Sequence, residues 1–203
     1  VGDIFGSLLA IEATVAFFLE SVFIGLWVFG WKRLSPKLHT ATIWLVAIGS
    51  NFSAFWILTA NSWMQRPMGY IINEETGRAE LTSFFEVVVN QSVAVAITHT
   101  VFASWALAGF VILGIASWHL LKGSKDGIWP KAFKFGGTMA LTFSLLVAFA
   151  GHFSAEDVAH YQPAKLAAME SHWETTDYAP MPVIVIPDVA NETNAVEAIK
   201  IPY

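Results

Sequence analysis

The chain has 203 residues, 55% of them hydrophobic and 13% charged, with a formal net charge of −5. An average soluble domain carries about 25% charged residues, so this composition marks a membrane protein, and the acidic balance excludes a nucleic-acid footprint. The absence of cysteine excludes disulfides, zinc thiolates and iron–sulfur clusters.

The first predicted element is an apolar helix over 5–31, long enough to cross a bilayer. No basic stretch precedes it, so it does not read as a signal peptide. It carries two carboxylates, Glu12 and Glu20. An ionisable group at the bilayer centre costs about 2.5–3.5 kcal/mol on insertion scales. On a regular helix the two lie roughly 80° apart around the axis and about 12 Å apart along it, so both can face one bundle interior. They read either as neutral acids hydrogen-bonded to neighbouring helices or as a proton path or cofactor edge.

A basic turn containing Lys32, Arg33 and Lys37 follows, with Pro36 as a break between helices. A second span is predicted over 39–63; its Ser50, Asn51, Ser53 and Asn61 suit helix packing through small and polar residues. Residues 64–89 read as a polar connector punctuated by Pro67, Gly69 and Gly77, with a short interfacial helix carrying Leu81, Phe84, Phe85 and Val88.

The third span is predicted over 91–121 and contains His99, the fourth over 132–153. No other histidine stands four residues from His99, so a two-histidine metal pair on that helix is not supported, but a neutral imidazole there could ligate haem iron. His39, His119 and His152 lie near span ends and read as interfacial. Residues 154–203 read as a polar tail, in which Leu166, Met169 and Trp173 share one side of a short helix and Lys165 and Glu170 stand beside an apolar patch. The predicted organisation is a four-span part, 1–153, and a tail segment, 154–203. Both ends look cut, so the chain reads as a fragment of a longer polytopic protein.

Charge orients the spans. The two short turns hold Lys32, Arg33, Lys37, Lys122, Lys125, Lys131 and Lys134, seven of the eleven basic residues. The connector and the tail hold twelve of the sixteen acids. The basic turns are therefore expected in the cytoplasm, with 64–89 and 154–203 on the outer face. Glu20 then lies near mid-bilayer with Ser53 at about its depth. Glu12 is nearer the outer face, and His99 is two to three turns in from it.

Four strings resemble subunit I of the cytochrome bd-type quinol oxidases: GDIFGSLLAIEATVAFFLES (2–21), GSNFSAFWILTANSWMQRPMG (49–69), THTVFASW (98–105) and QPAKLAAMESHWET (162–175). The Gln-Pro-Ala-Lys form of the last is most similar to the cyanide-insensitive branch. The resemblance runs through nearly the whole chain. It implies an all-α polytopic transmembrane helix bundle, four spans here plus an outward quinol loop, in the bacterial cytoplasmic (inner) membrane.

It also implies the catalytic subunit of a terminal quinol:oxygen oxidoreductase. Such a subunit oxidises ubiquinol or menaquinol at the outer face and reduces O2 to water in aerobic respiratory electron transport. The implied cofactors are a low-spin haem b, a high-spin haem b and haem d. The implied partners are subunit II, a small single-span subunit, quinol, O2 and the lipid bilayer.

By the same resemblance His99 corresponds to the axial ligand of the low-spin haem b iron, and Lys165 and Glu170 to residues of quinol oxidation. Glu12 corresponds to the carboxylate at the edge of the oxygen-reducing haems, and Glu20 and Ser53 to a proton path from the cytoplasm. The methionine that completes the low-spin site is expected beyond Tyr203 and the first-span histidine before Val1. The later carboxylate ligand and tryptophan of the haem cluster are also outside the chain. The segment alone is thus expected to be inactive and to bind haem poorly. The competing reading is a non-catalytic or transporter-like bundle that uses Glu12 and Glu20 for ion or proton passage.

Overall fold

The computed structural model describes residues 2–202. The chain divides into two compact units, one ending at Gly151 and one starting at His152. It is predominantly helical, and among the described residues four helices are long and apolar enough to cross a membrane.

The opening span covers Gly2–Phe29, but it is not the uniform helix expected over 5–31. It is built as α1 (Gly2–Ile11), a π-helical segment (Glu12–Phe17) and α2 (Phe18–Phe29). Thr14 Oγ1 donates to the Ala10 carbonyl. A side chain entering the backbone ladder in this way accompanies departures from α geometry. Wide π turns are rare and gather at functional sites. The first residue of this one is Glu12.

Helix α3 (Pro36–Gln65) begins three residues earlier than expected. Pro36 starts the helix rather than separating two, because a first-turn proline loses no intrahelical hydrogen bond. Ser35 caps it, accepting from the Leu38 amide. His39 reaches back across the turn to the Trp27 carbonyl at 2.7 Å. That carbonyl lies in the last turn of α2, where carbonyls lack helical partners.

The connector holds an element absent from the sequence reading, an antiparallel hairpin of β1 (Tyr70–Ile72) and β2 (Ala79–Leu81). Asn73 Oδ1 accepts from the amides of Glu75 and Thr76 in its turn. The expected short helix is present as α4 (Phe84–Val88), capped by Ser83. Gly69 has φ +66°, and a Cβ there would lie 2.6 Å from the Ser83 carbonyl oxygen, so only glycine fits. The connector folds onto the spans: Val87 is fully buried in a cluster with Leu8, Trp56 and Ala60.

Helix α5 (Gln91–Leu121) has its expected bounds, with Asn90 Oδ1 accepting from the Val93 amide. Helix α6 (Ile128–Tyr161) is longer than the predicted fourth span. Nothing breaks it until Gln162-Pro163, and at 1.5 Å per residue its 34 residues reach about 51 Å, beyond a hydrocarbon core of roughly 30 Å.

The two helices touch through backbone. A Cβ on Gly109 would lie 2.5 Å from the Ala140 nitrogen, and one on Gly136 would lie 2.7 Å from the Leu113 nitrogen. Small residues at a crossing let membrane helices approach without an apolar driving force between them. Gly109→Leu is expected to wedge α5 and α6 apart at a cost of about 1–3 kcal/mol. Thermal unfolding in detergent checks this, as a clear fall in Tm. At the basic turn His119 stacks on Trp129, ring centroids 3.7 Å apart, and Lys122 lies over Trp118.

In the second unit the last turns of α6 are followed by α7 (Pro163–Met169) and a long antiparallel hairpin, β3 (Met181–Asp188) and β4 (Thr193–Ile201). Asp188 caps its turn by accepting from the Asn191 side chain and amide, and those bonds hold its carboxyl below the usual range. The sequence reading expected Trp173 on the same helical face as Leu166 and Met169. Instead α7 stops at Met169 and Ser171 turns to φ +55°, so Trp173 leaves the helix. Its indole donates to Asn194 Oδ1 of β4 at 2.8 Å.

Candidate functional site

Three groups of predicted residues can be built up from their elements. The first lies between the opening span and α3. Ser53 Oγ donates to Glu12 Oε1 at 2.7 Å, and Ser50 Oγ donates to Glu20 Oε1 at 2.8 Å. This corrects the expected pairing, which put Ser53 level with Glu20. The level is set by Gly49, where a Cβ would lie 3.3 Å from the backbone nitrogen of Glu20. Ser50 therefore faces Glu20, and Ser53, one turn further on, faces Glu12.

Both carboxylates are half-buried and point to one helix. The serines that hold them stand one turn apart, about 4.5 Å along the axis, so both acids are anchored on the same stretch of α3. Ser50 was noted in the sequence only as a packing residue. The signal that distinguishes it is the glycine beside it, which allows the close approach.

The second group is His99 on α5. Its ring is partly buried and faces Gly151 of α6, where a Cβ would lie 3.6 Å from Cε1. Its Nδ1 is buried and makes no hydrogen bond. An imidazole with a glycine at its flank and a nitrogen that no protein acceptor claims suits one axial position of a haem. The fit is for a single donor. Among the described residues no three His, Cys, Asp or Glu side chains gather as a metal cluster.

A large apolar cleft of about 950 Å³ opens between α3, α5 and α6, lined by residues such as Trp44, Phe52, Trp105 and Phe143. None of the predicted site residues lines it.

The third group is in the second unit. Lys165 lies on the exposed side of α7, and Glu170 caps its C-terminal end. A cleft of about 920 Å³ is lined by Glu170, His172, Trp173 and the last turns of α6, but not by Lys165. The structure therefore brings Glu170 to the cleft and turns Lys165 away from its wall. Asn194 is the clasp of this region. Besides holding Trp173, it donates to the Ser171 carbonyl at 3.0 Å and to Glu197. Asn194→Ala is expected to free residues 170–174, measured as at least tenfold faster amide exchange there with the hairpin amides unchanged.

Comparison with known proteins adds a family to this geometry. The chain matches the family model for cytochrome bd terminal oxidase subunit I over residues 1–203. It is 47% identical to the cytochrome bd-II ubiquinol oxidase subunit 1 of Escherichia coli (strain K12), over all of this chain and 39% of that protein. It is 44% identical to the cytochrome bd ubiquinol oxidase subunit 1 of Bacillus subtilis (strain 168), over all of this chain and 43% of that protein. Among solved structures, the bd oxidase from Geobacillus thermodenitrificans matches with a TM-score of 0.85 at 32% identity, over all of this chain and 46% of that one. The chain thus spans about two fifths of the length of the curated relatives it matches.

Proposed function

Because the chain belongs to the cytochrome bd terminal oxidase subunit I family, we propose that it is part of the catalytic subunit of a quinol:oxygen oxidoreductase of the bacterial cytoplasmic membrane. The observation that carries this reading furthest is the pair of half-buried carboxylates, each held by a serine of one facing helix. One hydrogen-bonded acid would suffice for packing. Two anchored one turn apart on α3 form steps along which a proton can move.

In this proposal ubiquinol or menaquinol is oxidised at the outer face, where Glu170 takes a hydroxyl proton and Lys165 contributes positive charge. His99 would hold the low-spin haem b through one ring nitrogen. Glu12 would stand at the edge of the high-spin haem b and haem d. Bound haem supplies one-electron transfer and oxygen chemistry.

The chain's own part is proton supply. Glu20 and Glu12 are the groups that gain and release the proton, and Ser50 and Ser53 hold their carboxyls in place by donating to them, so that protons drawn from the cytoplasm arrive beside the oxygen site. The basic turns at 32–37 and 122–134 support the cytoplasmic end of this route. Subunit II and a small single-span subunit are the expected partners, covering part of the apolar surface that the spans leave exposed. The test is spectroscopic: membranes with the full-length protein should show reduced haem b and haem d bands with quinol-driven oxygen uptake. A pure, folded preparation without haem would overturn the reading in favour of a transporter-like bundle.

A further inference from the structure

His172 has no part in the roles assigned above, yet its setting is unusual. It follows Glu170 by two residues and lines the same cleft. Its Nε2 lies 3.3 Å from Glu170 Oε2, but that nitrogen is buried and makes no hydrogen bond. The separation suits a charge pair, while the ring N–H is off the line a hydrogen bond needs.

The segment is firmly held. The His172 amide donates to the Ala167 carbonyl at 2.8 Å. Ser171, at φ +55°, sits in the left-handed region that costs a non-glycine residue energy. Asn194 of β4 takes the Ser171 carbonyl and the Trp173 indole on either side. A buried polar atom without a partner is expensive, and native structures keep few of them. Here the atom stands beside a carboxylate that opens on a cleft of ligand size.

We propose that His172 is a second proton-handling residue of the quinol site, taking through Nε2 the proton that a bound quinol has delivered to Glu170. The proposal rests on the reading of Glu170 as a quinol residue. A quinol becomes a quinone by losing two electrons and two protons. The electrons would pass to the haem groups held by the full-length enzyme. The first hydroxyl proton passes to the Glu170 carboxylate and on to His172, which frees Glu170 for the second.

Charged groups face this ring from each side. Glu170 lies on its own segment. From β4 comes Glu197, whose carboxyl is held below the usual range mainly by Lys200 and then by Asn194. His152 and Glu156 of α6, with Glu174 and Asp177, line the cleft.

The experiment uses the full-length enzyme in membranes, with a short-chain quinol and, separately, an artificial reductant that reduces the haems without passing the cleft. His172→Gln is expected to lower quinol kcat about tenfold with little change in KM. It should also remove the acid-side fall of the kcat/KM profile, while turnover with the artificial reductant continues. Wild-type quinol kcat and an unchanged pH profile in His172→Gln would overturn the proposal. So would equal loss with both donors, which would mark the ring as structural. Glu170→Gln separates the two levels. Its inactivity with quinol keeps the quinol-site reading whatever His172 does, and full activity removes that reading and this proposal together.

Discussion

Replacing His99 with alanine in the full-length enzyme is expected to remove the low-spin haem b signal completely and to stop quinol-driven oxygen uptake. The ring has no protein partner at Nδ1, and its flank is a glycine. Its removal therefore breaks no hydrogen bond of the fold at that nitrogen, and helix α5 gains a residue of higher helix propensity. The variant should accumulate as a folded membrane protein, with the other haem bands retained. Reduced-minus-oxidised difference spectra of membranes are the measurement. An unchanged low-spin band would show that His99 is a packing residue and that the ligand must be sought on another helix.

The second large effect is expected at the carboxylates. Glu20→Gln keeps the size of the side chain and an oxygen that accepts from Ser50, but it cannot gain and release a proton. Loss of a proton-transferring group costs about 10²–10⁴ in rate, so oxygen reduction should fall at least a hundredfold with normal haem content. Glu12→Gln should do the same. Ser50→Ala and Ser53→Ala remove one hydrogen bond each and leave the acids in place. A water can bridge such a gap, so their effect should stay within about tenfold. Single-turnover oxygen reaction with pre-reduced enzyme checks the order. If the glutamine variants keep wild-type rates, the carboxylates are packing groups. If the serine variants equal them in severity, the hydroxyls themselves carry the proton.

Much of this arrangement was legible in the chain. A stretch of twenty or more predominantly apolar residues specifies a span with little help from context, and the predicted third span, 91–121, coincides with α5. The pairing at the carboxylates was missed because it depends on contacts between segments distant in sequence. Whether Ser50 or Ser53 meets Glu20 is decided by helix register, and Gly49 sets that register.

The β3–β4 hairpin was hidden because Pro182 and Pro187 interrupt its first strand. Prolines normally argue against a strand, but a two-stranded ribbon tolerates them on its open side. Trp173 had the spacing of a helical face, and the left-handed turn at Ser171 removed it. Glu12, Glu20, His99, Lys165 and Glu170 were all named from the residues. His172 lies inside the string QPAKLAAMESHWET, but its interest comes from an unfilled hydrogen bond that the sequence does not show.

The π segment at Glu12–Phe17 has a consequence for how the opening span keeps time with its neighbours. Upstream, Leu8 is locked in phase with Trp56 and Val87. Downstream, Glu20 and Leu19 are locked in phase with Gly49. One residue advances a helix by 100°, more than a quarter of its circumference. A span wound uniformly throughout would have to give up one of these two engagements. The wide turn works like the offset in a vernier, letting both halves mesh with the same partner helix, and it puts Glu12 at the point where the two scales meet.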